Sequence, residues 1–254
     1  MNLIKCIDNI RGMREHLLDE SVNLVVTSPP YNVGAEKHNP VKYGTYLDEK
    51  PLEDYFLWQK WVFNEVYRVL TPDGRVVINI GAQKNGRIPL NHYFMLLMEQ
   101  LGFKVYSQII WSKGHTSRNC SFGSWLKPSC PSFVTTFEYI LIFYKESRRL
   151  LPEYHKGTVT DLKKEEFVKW ARAMWEFPGI KSDIHPAVFP FELPKRCIKM
   201  LSYVGDQILD PFCGTGTTCV AAWTFNREAV GFDIDPEYVH HIPEHSSIFY
   251  KKSD

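Results

Sequence analysis

Two corners of the sequence carry residue types suited to chemistry. The first is Thr27-Ser28-Pro29-Pro30-Tyr31-Asn32, which closes a β-branched run at residues 22–27. Two prolines in series remove ladder donors, so the strand must stop there and the backbone stays rigid. A hydroxyl (Ser28) beside a carbonyl (Pro29) can accept both hydrogens of one amino group. Tyr31 adds a flat ring on which an aromatic base can stack. The second corner is Asp210-Pro211-Phe212-Cys213-Gly214-Thr215-Gly216-Thr217-Thr218, about 180 residues further on, with Asp233 at the end of the following strand.

A strand, a glycine turn, a helix and a second strand ending in an acid form a unit of Rossmann type. Glycines let a ligand approach the backbone, and the helix start offers free N–H groups. The acid can accept both ribose hydroxyls of an adenosine moiety, and Gly216 to Asp233 is close to the ~20 residues this role requires. A dinucleotide turn wants a third glycine for close packing, and Cys219 stands where it would fall. A turn that cradles an amino-acid head can use threonine hydroxyls instead, with Asp210 free to meet an ammonium. That favours S-adenosylmethionine over a dinucleotide. Taken singly, each corner also reads as a plain turn, the second with a threonine N-cap.

These corners need a scaffold. Strand signals at Leu3–Cys6, Val22–Thr27, 75–80, 103–111, 139–144, Gln207–Asp210 and 229–233 alternate with helical patterns. The helices are expected at residues 10–18, from Pro51 onward, at 90–101, from about Pro194 to Leu201 and at 215–225, with a last short one capped by Asp235-Pro236. Thr71-Pro72-Asp73-Gly74 reads as a turn. The alternation predicts an α/β fold with a largely parallel sheet and helices on both faces. Ligands in such sheets bind at the carboxyl ends of the strands, where both corners fall. The whole of 1–254 reads as one domain, with irregular stretches at 112–131 and 145–184 as loops or a small insertion.

Composition narrows the class. A chain that is 44% hydrophobic and 23% charged is globular rather than disordered. Its longest apolar runs are too short to cross a bilayer, and residues 1–11 lack a signal-peptide core, so a cytoplasmic protein is expected. Net charge is only +1, yet residues 100–152 carry seven bases against two acids. Lys113, Arg118, Lys127, Arg148 and Arg149, all from that stretch, are the candidate polyanion-binding residues. Residues 206–244 reverse the balance, with seven acids against Arg227. Such asymmetry suits a polyanion partner on one side. Six cysteines without C-x-x-C or zinc-type histidine spacing imply neither a disulfide framework nor a metal site.

Together the motifs resemble those of the amino-methylating DNA methyltransferases of the β arrangement, in which the catalytic (D/N/S)-P-P-Y motif precedes the cofactor motif. Thr27 through Asn32 matches the catalytic motif, and residues 210–218 resemble D-P-F-x-G-S/T-G-T-T. Gly231-Phe232-Asp233-Ile234-Asp235 through Tyr238 is similar to the ribose-acid motif. His185-Pro186-Ala187-x-Phe189-Pro190 resembles H-P-A-x-F-P, and Ile7-Asp8-Asn9 resembles an N-terminal G-D-x, without its glycine. The resemblance implies a circularly permuted methyltransferase fold that uses S-adenosylmethionine and releases S-adenosylhomocysteine. It implies catalysis by Ser28, Pro29, Pro30 and Tyr31. It places the cofactor among Asp8, His185, Pro186, Asp210, Phe212, Cys213, Gly214, Thr215, Gly216, Thr217, Thr218 and Asp233. The implied substrate is double-stranded DNA, with the base flipped out, in a prokaryotic or phage restriction-modification setting. A homodimer is expected by analogy with relatives. Serine in the first motif position points to cytosine N4, with adenine N6 the alternative. Residues 112–131 and 145–184 are expected to recognise the target and 33–50 to form a flap.

Four other classes compete with this reading. An oxidoreductase lacks the third glycine and a hydride-transfer acid. A non-catalytic DNA-binding module lacks a helix-turn-helix or zinc signature. An RNA methyltransferase shares the chemistry and is separated only by substrate. A C5-cytosine enzyme would need a nucleophilic cysteine after proline, and no suitable thiol is apparent.

Overall fold

In the run Val22–Thr27, Leu24 and Val26 enter one apolar core and Val25 the other. A β-branched strand buried on both faces is what the centre of a parallel sheet requires. The computed structural model describes residues 1–32, 46, 48–83, 86–114, 123–180, 182–185 and 188–243. Its elements are β1 (Leu3–Cys6), α1 (Asn9–His16), β2 (Val22–Thr27), α2 (Leu52–Val69), β3 (Leu70–Ile80), α3 (Leu90–Gln100), β4 (Lys104–Ser112) and β5 (Phe137–Tyr144). Then follow α4 (Lys164–Trp170), β6 (Met174–Glu176), α5 (Glu192–Leu201), β7 (Gln207–Asp210), α6 (Thr217–Thr224), β8 (Glu228–Asp233) and α7 (Pro236–His240).

The strands form one sheet in the order β1-β8-β7-β2-β3-β5-β4-β6. Only β5 runs against the others. Helices α1, α2 and α3 cover one face through Met13, Phe63 and Phe94. Helices α5 and α6 cover the other through Leu193, Ile198 and Ala221, with Trp170 of α4 in the same core. The carboxyl ends of seven strands and the amino end of β5 therefore share one edge, called here the carboxyl edge.

Several expectations are corrected. Residues 71–74 are not a separate turn before the strand. Strand β3 begins at Leu70, and the chain bulges where pairing with β2 jumps from Leu70 to Arg75. Helix α6 starts at Thr217, because Gly216 stands at its N-cap in the left-handed region (φ 81°). A Cβ at Gly216 would lie 2.8 Å from Ile242, so the turn needs glycine there. Residues 145–184 are not uniformly irregular, since α4 and β6 lie within them. Elements of seven and three residues are too short to show a period.

Candidate active site

Each of the two corners ends at the carboxyl edge. Thr27 Oγ1 donates to Asp210 Oδ1 at 2.6 Å, tying the end of β2 to the end of neighbouring β7. Beyond β2, Ser28 Oγ–H donates to the Asn79 carbonyl at 3.1 Å, which leaves the serine oxygen's lone pairs for another donor. Tyr55 donates to the Pro30 carbonyl at 2.7 Å. Among the described residues no donor reaches the Pro29 carbonyl. Asn32, in the left-handed region at φ 56°, anchors the chain as it leaves. Its N–H donates to Asp48, and its side chain bonds both ways with the Lys50 backbone.

Ser28, Pro29 and Pro30 line a cleft of about 920 Å³, counting its open mouth. Asp8, His185, Phe212, Cys213, Gly214, Thr215, Thr217 and Asp233 line the same cleft. So do Asn9, Trp58, Asp235 and Tyr238. Asp233 Oδ2 accepts from Gly214 N–H at 2.8 Å and Oδ1 from Asp235 N–H at 2.9 Å. One carboxylate thus shapes both turns and keeps further lone pairs on each oxygen. Burial raises its pKa above the ordinary carboxylate range. Burial also brings His185 down to about 4, so its imidazole is neutral at ordinary pH. Its ring leans on Tyr238 at 4.5 Å, and a Cβ on Gly214 (φ 49°) would lie 3.2 Å from its Nε2.

Not every expected cofactor residue reaches the cleft. Asp210, read as free to meet an ammonium, is 1% exposed and bonded to Thr27 and, at 3.1 Å, to Phe212 N–H. Burial pushes it up to about 6. Its role is to join β7 to β2. Thr218 is fully buried and donates to the Val26 carbonyl at 3.2 Å. Gly216 caps the helix behind the wall. Pro186 lies outside the described residues. Cys213 and Cys219 are buried, which holds both thiols protonated and unreactive.

The cleft fits the group implied for it. Among the described residues it presents three acids (Asp8, Asp233, Asp235) and no lysine or arginine, as a cationic ligand needs. Trp58 and Phe212, edge to face at 5.6 Å, supply flat apolar walls. Asn9 Oδ1 is buried without a partner among the described residues, an acceptor available to a ligand.

Tyr31 is held in a polar network. It accepts from Asn79 Nδ2 at 2.9 Å and donates to Glu138 Oε2 at 3.0 Å. Asn79 Nδ2 also meets Glu138 Oε2 at 2.7 Å, and Glu138 Oε1 pairs with Lys113. Gln83 donates to the carbonyls of Tyr31 and Asn32. A Cβ on Gly81 would lie 3.0 Å from the tyrosine ring, so glycine there admits it.

The candidate DNA-binding residues scatter. Lys127 is exposed on the carboxyl side, between β4 and β5. Lys113 is not a free surface cation: it pairs with Glu138 and lies 4.9 Å over the Trp111 ring. Arg118 lies outside the described residues. Arg148 and Arg149 sit at the opposite edge, because β5 is antiparallel and its Tyr144 pairs with Arg75 and Lys104 at the strand starts. Arg148 stacks there on Tyr106 at 5.2 Å. For the same reason residues 145–163 are not beside the cleft; β6 brings the chain back to the carboxyl edge, where Phe177 stacks on Trp111 and His185 lines the cleft. Most of the expected flap, 33–45 and 47, lies outside the described residues.

Sequence reasoning passed over Asn79, Glu138 and Trp58. A polar residue within the apolar run 76–80 and one acid opening a strand in a basic stretch were signals for the first two. Trp58 matched the helical face of α2 and was read as core. Among the described residues, no group of histidine, cysteine and acids is arranged to hold a metal ion, and no helix is long and apolar enough to cross a membrane.

The DNA methylase family matches residues 22–244. Type II methyltransferase M.MjaI of Methanocaldococcus jannaschii is 35% identical, over 94% of this chain and 89% of its own length. DNA adenine methyltransferase YhdJ of Escherichia coli is 29% identical, over 87% of this chain and 74% of its own. Among solved structures, TTHA0409 of Thermus thermophilus, complexed with S-adenosyl-L-methionine, has a TM-score of 0.71 at 32% identity, covering 95% of this chain and 91% of that one. The cytosine-N4-specific PvuII DNA methyltransferase shares the fold, with a TM-score of 0.68 at 20% identity, over 97% and 89% of the two chains.

Proposed function

The chain belongs to the DNA methylase family, and we propose that it is a Type II modification enzyme methylating the exocyclic N4 of cytosine in duplex DNA. The observation that carries this is the shared cleft. The two unbonded acceptors of the Ser28-Pro29 corner open onto the cavity that Asp8, Asp233 and the 211–215 turn also line. S-adenosylmethionine, the cofactor read for this cleft, supplies when bound a methyl group on a positively charged sulfur. Asp233 would hold the ribose hydroxyls, Asp8 and Trp58 the adenine end, and Thr215 and Thr217 the amino-acid head. The neutral His185 adds no repulsion toward that cation.

A base amine conjugated into its ring is a poor nucleophile. Ser28 Oγ and the Pro29 carbonyl would accept its two hydrogens and draw the nitrogen toward tetrahedral geometry, which aims its lone pair into the cleft. The Ser28 proton is engaged by the Asn79 carbonyl, so the serine faces the amine as an acceptor. The prolines, Tyr55 and Asn32 fix these acceptors beforehand, so positioning and electrostatics supply the rate. No thiol or other covalent nucleophile is required. A stacked base cannot reach this corner, so it must leave the helix, with the Tyr31 ring as its platform.

Serine at position 28 supports cytosine, the smaller ring, with a neutral acceptor leaving more of the polarisation to Pro29. Adenine N6 is the second reading, favoured by the similarity to an adenine methyltransferase and by the ability of a hydroxyl to accept from either amine. We further propose that the chain is a single domain whose residues 112–131 and 177–184 contact the target, with the protein acting in the cytoplasm. Duplex DNA methylated by the protein, digested to nucleosides and identified by mass should yield N4-methylcytosine. N6-methyladenine alone would move the target atom, and neither product would contradict the reading.

A further inference from the structure

Ser28 Oγ lies 3.4 Å from the Tyr31 hydroxyl. That hydroxyl is a competitor. If it turned its proton toward Ser28, it would occupy one of the two lone pairs with which the serine oxygen can meet the substrate amine and weaken the other as an acceptor. Three observations show what prevents this. Glu138 Oε2 accepts from the Tyr31 hydroxyl at the shorter distance of 3.0 Å, and a carboxylate is the stronger acceptor. Asn79 Nδ2 donates one hydrogen to the Tyr31 oxygen at 2.9 Å and the other to the same carboxylate oxygen at 2.7 Å, so the phenol accepts from Asn79 and its own proton is left for Glu138. Lys113 closes the network on Oε1, balancing the charge of a carboxylate whose side chain is only 13% exposed.

We propose that Glu138 is a positioning residue that draws the Tyr31 proton away from Ser28, keeping the serine oxygen open as an acceptor for the target amine. This rests on the amine-methylating reading above. It also accounts for a feature of the topology. β5 is the strand that runs against the others, and reversal brings its first residues, Glu138 among them, to the carboxyl edge beside Tyr31. Lys113 follows the end of β4 and leads into residues 114–131, so the network joins the catalytic corner to the stretch expected to contact DNA. On this account Lys113 is a counter-ion, not a phosphate contact.

The test uses the full chain, mixed-sequence duplex DNA and methyl-labelled S-adenosylmethionine. Glu138→Gln keeps the shape and removes the charge, and the expected result is a fall in kcat of about tenfold or more, with KM for DNA within about twofold of wild type. Combining it with Tyr31→Phe removes the competing hydroxyl but keeps the ring, and kcat should recover most of the loss. A merely structural role would not be rescued by deleting one oxygen atom. Lys113→Gln should lower kcat while leaving the salt dependence of DNA binding at the wild-type slope. An unchanged kcat in Glu138→Gln overturns the proposal, as does a double variant no faster than the single one. A salt slope reduced by about one unit in Lys113→Gln overturns the counter-ion role. Absence of any methylated amine with the wild-type chain would instead sink the functional reading, so the two failures are told apart.

Discussion

At the starts of the strands, His155 lies between Asp73 and Asp206, at 2.9 and 2.7 Å, with all three side chains fully buried. At the other edge of the same sheet, Asp8, Asp233 and Asp235 face an open cleft with no lysine or arginine among its described lining residues. Both regions are acidic, and both are built where strands meet loops. The difference lies in who answers the charge. At the strand starts each carboxylate is paired within the chain, so the imidazolium ties Asp73 of β3 to Asp206 just before β7, and Leu151 N–H bonds the same Asp73. In the cleft Asp8, Asp233 and Asp235 meet only backbone N–H groups among the described residues and keep lone pairs in reserve. A fold that satisfies its polar groups at one edge and leaves them open at the other has separated stability from binding.

The largest effect that should break this contrast is His155→Ala. Removing one partner from a buried charged cluster strands two carboxylates and should lower stability by about 3–5 kcal/mol. S-adenosylmethionine affinity, measured by calorimetry at a temperature where the variant stays folded, should remain near wild type. The same cluster gives a pH signature. His155 is raised to about 9 because Asp206 and Asp73 favour its charged form over the cost of burial. Its contribution should therefore be complete below pH ~6.5, the ordinary imidazole value, and be lost as pH rises through about 9. Chemical denaturation between pH ~6.5 and ~9.5 should show the fall in wild type and a shallower one in His155→Ala.

Asp233→Ala sharpens the other side. It should weaken S-adenosylmethionine binding by roughly 1.5–3 kcal/mol, as for the loss of charge-assisted hydrogen bonds. Because Asp233 also holds the N–H groups of Gly214 and Asp235, a stability loss of about 1 kcal/mol should accompany it. Unchanged calorimetric affinity would remove this residue from the cofactor site.

How much of this was legible depends on the kind of signal. Strands buried on both faces announced themselves as apolar runs, and Val22–Thr27 and Gln207–Asp210 fell where their residues placed them, as did the half-buried edge strand Leu3–Cys6. Glycine and proline punctuated the two corners, so most residues of the cleft could be named from their types and spacing. Strand direction has no such signal. Nothing in residues 137–144 says that the strand is reversed, yet that reversal sends Arg148 and Arg149 to the wrong edge and brings Glu138 to the right one. Burial of polar groups was equally hidden. Asp210 and Asp233 end equivalent strands, and only packing shows that one is closed behind Thr27 while the other faces the cleft.

The smallest expected effect follows from that reversal. Neutralising Arg148 and Arg149 together should leave the salt dependence of DNA binding unchanged. Neutralising Lys127 should lower the slope by about one unit if it meets a phosphate. A slope that falls with the arginine pair would mean that DNA reaches the strand starts, and the contrast between the edges would fail.

The central claim is that Ser28 acts on the amine rather than on the cofactor or the fold, and one substitution tests it. Ser28→Ala should cut the single-turnover rate of methyl transfer by ~10²-fold or more, as for a lost contact made chiefly in the transition state. Calorimetric affinity for S-adenosylmethionine and the melting temperature should stay near wild type. A variant that transfers at the wild-type rate, or one whose slower transfer is matched by an equal loss of cofactor affinity, would contradict the account.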